Sequence, residues 1–265
     1  MKDLHLRIIA GIFTACICSA SFAATVVEQK YMGKKQTITI NKDHAHIKED
    51  GSNDYKLLDF NKRKAYMVDA KKKRIVEMDF TGTPPKLPYA PQRQHRRPKV
   101  KAELVNKGSG PKIAGYSTTK HLVKANGQLC SENYFSKKAA QVPYLEKFNK
   151  ARSDITNSRK IKEIPVHLCQ KAHDDLQAKS KTWGFPMKTV IKTGKSGDDK
   201  IMFEITSIKK DVKASADLFK PPAKGYKVIS EKEMIAEEQA KMRKQMEKYR
   251  QRRGEDYRHM NPPRY

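Results

Sequence analysis

The chain has 265 residues, with 56 Lys and Arg against 29 Asp and Glu, and a formal net charge of +27. That length suits one domain of ordinary size with tails, and so large a positive surplus points to anionic partners rather than basic ones. Beyond its first residues the chain holds no apolar run near the ~20 residues of a membrane helix, so the processed protein is expected to be soluble or peripheral.

Lys2 and Arg7 precede an apolar run, Ile8 to Cys18, which ends in the small residues Ser21-Phe22-Ala23-Ala24. This is the pattern of a secretory signal peptide, residues 1–23, cut after Ala23 or Ala24. An uncleaved anchor over Leu6 to Ala24 and a lipoprotein box at Phe13-Thr14-Ala15-Cys16 are weaker matches, the latter lacking its Leu. Removing 1–23 leaves a charge of +26. The expected location is the periplasm, peripheral to the inner membrane if attached to it at all. Only Cys130 and Cys169 survive processing. In an oxidising compartment an even pair reads as one disulfide; two buried thiols are the other reading.

From Thr25 the pattern is β: Val26–Tyr31, Gln36–Asn41, His44–Glu49, Tyr55–Phe60, Lys64–Asp69 and Arg74–Phe80, separated by polar turns. Such spacing predicts an antiparallel meander. Residues 81–99 carry Pro84, Pro85, Pro88, Pro91 and Pro98, which forbid a central strand or helix, together with Arg93, Arg96 and Arg97. The segment is expected to be an extended, mobile loop, and those three arginines are candidates for an anionic-partner surface. Strand character resumes at Val100–Asn106 and Ile113–Lys124, with Gly108-Ser109-Gly110 between them read as a loop. Asn126-Gly127 then marks a type I′ hairpin, whose two central residues both need positive φ.

A helical insertion is expected over 137–180. Pro143 would open one helix, with Leu145, Phe148, Ala151 and Ile155 as its stripe. Pro165 would open another, with Cys169, Ala172 and Leu176 on one side, bringing Cys169 within reach of Cys130. Trp183–Thr193 reads as a strand interrupted at Pro186. In Lys200–Ser230, Ile201, Phe203 and Ile205 alternate with polar neighbours and are candidate cavity or core residues. Lys209–Asp217 is expected to be a polar connector leading to Leu218-Phe219. Ser230-Glu231-Lys232-Glu233 is a capping box for a tail helix over 230–253, with Ile235, Met242, Met246 and Tyr249 as a narrow stripe and Gly254 as its stop. Residues 254–265 are expected to be disordered.

The segments Lys64-Ala65-Tyr66-Met67-Val68-Asp69 and Arg74-Ile75-Val76-Glu77-Met78, then Ile113-Ala114-Gly115-Tyr116, then Phe203-Glu204-Ile205-Thr206-Ser207-Ile208 with Leu218-Phe219-Lys220-Pro221-Pro222 and Gly225-Tyr226, resemble the periplasmic lipoprotein-carrier (LolA/LolB/LppX-like) half-barrel superfamily. The resemblance spans about Thr25 to Lys227 and is nearest to that superfamily's uncharacterised periplasmic branch. It implies a mainly β (α+β) fold over 24–229, a curved antiparallel half-barrel whose concave side holds acyl chains under a helical lid. The Pro-rich loop, the charge and the tail helix depart from the carriers.

His44-Ala45-His46 puts two imidazoles on one strand face, a spacing metals can use, but no third ligand is near; a solvated face is the plainer reading. Gly194-Lys195-Ser196 imitates a phosphate loop, yet Thr189 stands where its first Gly is required. No Ser/His/Asp set assembles from spacing. The sequence therefore favours a non-enzymatic binding protein, with no cofactor and no nucleic acid, for an anionic envelope lipid, a membrane surface or another apolar ligand. The alternative is an accessory or scaffold protein of an envelope or secretion assembly.

Overall fold

A computed structural model describes residues 21–81, 99–159, 167–180, 182–192, 199–222 and 224–260. The basic loop with Arg93, Arg96 and Arg97, the Gly194-Lys195-Ser196 turn and the region around Pro165 fall outside them. The fold is mainly β: one open, curved twelve-stranded sheet among the described residues, a half-barrel with a helical insertion and a C-terminal helix.

The strands are β1 (Ser21–Tyr31), β2 (Lys34–Ile40), β3 (His44–Glu49), β4 (Tyr55–Asp59), β5 (Lys64–Asp69), β6 (Arg74–Asp79), β7 (Ala102–Ile113), β8 (Tyr116–Ala125), β9 (Gln128–Ser136), β10 (Phe185–Ile191), β11 (Lys200–Ser215) and β12 (Lys227–Ser230). Their order across the sheet is β12-β6-β5-β4-β3-β2-β1-β11-β10-β9-β8-β7. The meander β1–β6 falls where alternation and polar turns place it. Asn126 and Gly127 take φ of 51° and 82°, the two positive values a type I′ turn requires.

Several expectations are corrected. In the full chain β1 begins at Ser21, with Ser21, Phe22, Ala23 and Ala24 opposite Ser215, Ala214, Lys213 and Val212. The same pairing turns the expected connector Lys209–Asp217 into strand as far as Ser215. Gly108-Ser109-Gly110 belongs to β7, at irregular register. Gly110 is required there, since a Cβ would come within 2.6 Å of Thr118 Oγ1 and 2.9 Å of the Tyr134 ring. The strand expected over Ile113–Lys124 breaks at the tight turn Ala114-Gly115. Strand β12 was not legible; it joins β6 in parallel, so the sheet is not wholly antiparallel.

Curvature has a local source. Strand β11 is irregular against β1 at two places, one of them beside Thr206, and against β10 beside Met202. Each extra residue bends the strand and raises its twist. The first bulge puts Ile205 and Ile208, three residues apart, against the same core, which strict alternation does not allow.

The insertion comprises α1 (Lys137–Ala140), α2 (Leu145–Ser158) and α3 (Leu168–Ser180). Ser136 caps α1 by accepting from the Ala139 N–H at 3.1 Å. Helix α2 begins at Leu145 rather than Pro143, whose carbonyl accepts from Thr25 Oγ1 at 2.9 Å and so anchors the connection to β1. Leu145, Phe148 and Ala151 are 0%, 1% and 5% exposed and pack with Val27, Ile38, Ile40, Ala45 and Leu58. The concave face of β1–β5 is thus filled by side chains. Helix α3 packs on β7 and β8, where Ala172 and Leu176 meet Val123, Ala125 and Cys130.

The outer face of β3–β6 is covered too. A 3₁₀ turn, Ala216–Phe219, follows β11, and Phe219 lies 6.1 Å from the His44 ring. The chain then crosses to β12 on the far edge. His46, Leu57, Val68 and Ile75 are buried on this face. His46 is therefore not on a solvated face: it lies 4.9 Å from the Tyr55 ring, and burial, with help from Lys48, lowers its pKa to about 4.

The capping box forms: the Glu233 N–H donates to Ser230 Oγ at 3.2 Å and the Ser230 N–H to Glu233 Oε2 at 2.7 Å. Helix α4 spans Glu231–Met260, so Gly254 does not stop it and most of the expected disordered tail is helical. A Gly inside a helix costs about 1 kcal/mol against Ala, which the strong helix formers on either side outweigh. The first turns of α4 touch the body. Arg159 holds Glu231 through Nε and Nη2 at 3.0 and 3.1 Å, Arg74 holds Glu237 at 2.7 Å, and Met234 packs on the core.

Candidate functional site

Antiparallel register sets directly opposed residues on one face. Tyr31, Phe203, Thr189, Asn133 and His121 are opposed in turn across β1, β11, β10, β9 and β8. Tyr31 shares its face with Val27, so this row lies on the concave side. Where α3 and the end of α2 stand over its β8–β9 end, they leave a cleft of about 260 Å³. Val123, Phe135, Leu176 and Trp183 supply apolar lining, and Asn133, His173, Gln170, Asp174 and Thr156 polar lining.

A directed chain of hydrogen bonds runs along its base. Thr189 Oγ1 donates to Asn133 Oδ1 at 2.9 Å, and Asn133 Nδ2 donates to Ser131 Oγ at 2.8 Å. Ser131 Oγ and His173 Nε2 are 3.1 Å apart. The hydroxyl accepts from Asn133, and the direction of its bond with Nε2 follows the tautomer of His173. Burial lowers the His173 pKa, opposed by Asp174. Ser131 and His173 resemble a nucleophile and its base, a pairing that spacing alone did not reveal. Yet Ser131 is 0% exposed, and its hydroxyl is committed on both sides. The chain orients His173 and Asn133 toward the cleft.

The aromatic wall is a packed trio. His121 stacks on Trp183 at 4.9 Å and 12°, and Phe135 meets both edge-on at 5.7 and 5.1 Å. Burial also lowers the His121 pKa, and His121 Nδ1 is buried with no hydrogen-bond partner among the described residues. On the opposite side of β9, burial pushes the Glu132 carboxyl upward, but bonds from Lys120, Tyr134 and Lys192 outweigh it and bring its pKa to about 2.

The Cys130–Cys169 disulfide is formed, with Cα atoms 5.3 Å apart, and pins α3 to the cleft's β9 wall. The three candidate cavity residues do not line this cleft. Ile205 is 2% exposed in the main core. Phe203 is half-buried in the concave row, two strands from Asn133. Ile201, displaced by the bulge beside Met202, is 42% exposed. Nor do His44 and His46 gather a third ligand: among the described residues no three His, Cys, Asp or Glu side chains could hold a metal. Sequence reasoning missed Ser131, Asn133, His121, His173 and Trp183. The one available signal was Trp183, the single Trp of the chain, beside the start of β10.

No family model matches the chain, and no curated protein matches it. Among solved structures, it is similar to an uncharacterized conserved protein from Thermus thermophilus, at 10% identity and a TM-score of 0.38 over 80% of this chain and 91% of that one. It is similar to MucB at 12% identity and a TM-score of 0.38, over 78% of this chain and 59% of MucB. It is also similar to the LolA superfamily protein NE2245 from Nitrosomonas europaea, at 8% identity and a TM-score of 0.26 over 77% of this chain and 91% of that one.

Proposed function

We propose that the protein is a non-enzymatic binding protein of the cell envelope that holds a small apolar or amphipathic ligand between α3 and the concave sheet. The observation that carries this reading is the cleft itself: Val123, Phe135, Leu176 and Trp183 around oriented polar groups on Asn133 and His173. Its volume, about 260 Å³, lies just under the range of roughly 300–1,000 Å³ for drug-sized ligands. It suits one ring or one short chain. Several full acyl chains would need the space that Leu145, Phe148 and Ala151 occupy. Export to the periplasm, supported by the N-terminal pattern and the disulfide, belongs to the same proposal.

Trp183 makes the test direct. Titrating the oxidised protein with octanoate and with palmitate should give a saturable change in its emission for the short acid and a weaker one for the long acid. Leu176→Phe, which narrows the cleft, should abolish the response. Flat titrations, with native mass spectrometry showing only the bare polypeptide, would overturn the reading. A second reading, an accessory or scaffold protein of an envelope assembly, is favoured by the filled concave face of β1–β5 and by the length of α4 beyond the body. It expects a protein captured by crosslinking in place of a ligand.

A further inference from the structure

Helix α4 is anchored to the body through its first turns. From Ala240 to Tyr249 every described side chain is exposed, and the helix runs on to Met260. At 1.5 Å per residue, the stretch from 240 to 260 extends about 30 Å. Met242, Met246 and Tyr249 are 52%, 51% and 64% exposed. At about 100° per residue they share a sector roughly 60° wide. On the same wheel Lys241 and Lys248 lie on one side of that sector and Arg243 on the other, with Glu247 as far from it as Lys248. The Lys241–Glu238 pair is solvent-exposed at both ends and holds Lys241 only weakly. Between 241 and 253 the sequence has seven basic residues and one acidic one.

We propose that this projecting half of α4 is an interfacial helix that lies on an anionic bilayer, with Met242, Met246 and Tyr249 at the acyl boundary and the flanking cations among the headgroups. A narrow apolar stripe bordered by cations matches that boundary on both counts, apolar below and negative above. A partner helix of ordinary coiled-coil type fits less well, because Gln239 and Arg253 stand in the apolar register that Met242, Met246 and Tyr249 define.

The test is co-sedimentation of the full processed chain with vesicles of phosphatidylcholine, alone or with phosphatidylglycerol at three parts in ten. Binding should require phosphatidylglycerol and fall steeply as salt is raised. Met242→Asp with Met246→Asp should weaken it at least ten-fold, and Lys241→Gln and Lys248→Gln about five-fold each. Circular dichroism should show each variant as helical as the parent, since all four side chains are exposed. Absence of binding to the anionic vesicles would overturn the proposal. So would binding that the methionine pair leaves unchanged, which would place the contact on another basic surface, or vesicle-independent capture of an acidic protein through the same residues. None of these outcomes touches the Trp183 titration.

Discussion

Helix α2 covers β1–β5 through Leu145, Phe148 and Ala151, which join one large cluster, whereas α3 covers β7–β9 with Ala172 and Leu176 and a small cluster of its own. The first helix is held by buried area. The second is held by the Cys130–Cys169 bond and by the Ser131–His173 contact. Both helices cover the same face of the same sheet. Where apolar contact is sparse and a covalent tie supplements it, the helix stands off the sheet and leaves a cleft. The large cluster and the cleft thus lie under different helices.

The sharpest way to break this contrast is to weaken the dense half. Phe148→Ala should destabilise the whole protein by about 3–5 kcal/mol, seen as a fall in the urea midpoint, because α2 has no covalent tie to fall back on. In the other half, replacing Cys130 and Cys169 together by Ser should cost somewhat less, about 3–4 kcal/mol in the loop-closure account. It should also free α3 selectively: hydrogen exchange should rise in α3 while α2 stays protected. Equal exchange in both helices would dissolve the distinction.

Acid sharpens the comparison. Folded His46 ionises near pH 4, whereas an unfolded His does so near 6.5. The unfolded chain therefore binds the extra proton first, and stability is lost as pH falls from about 6.5 to about 4, by up to about 3 kcal/mol. His46→Phe should flatten that part of the stability–pH curve. Burial also shifts His121 and His173 in the other half downward, so they contribute to the slope that persists, joined below about pH 4.5 by Glu132. The smallest effect expected is at the capping box, where Ser230→Ala should cost about 1 kcal/mol, read as fraying at the start of α4.

Legibility followed the range of the interaction. The meander, the Asn126-Gly127 turn, the capping box and the stripe of α2 were readable because each is fixed by neighbours within a few residues. Cys130 and Cys169 were readable because thiol chemistry and compartment limit their partners. The cleft was not. Its row, Thr189–Asn133–His121, exists only once three strands are in register, and Ser131 meets His173 only after α3 folds back. The bulges of β11 defeated strict alternation and misplaced Ile201. Strand β12 is four residues long and takes its shape from β6, so local propensity could not reveal it.

The position of β1 carries a temporal consequence. It leaves the ribosome before every other strand, yet one of its edges stays open until β11 is made, since Tyr31 pairs with Phe203 and Ser21 with Ser215. Pairings so distant in sequence form slowly. The nascent polypeptide therefore cannot close its sheet until most of the described strands have been made. The helix that joins β1 in the main core and the strand that completes it arrive late, so the closed native sheet forms only as a finishing step.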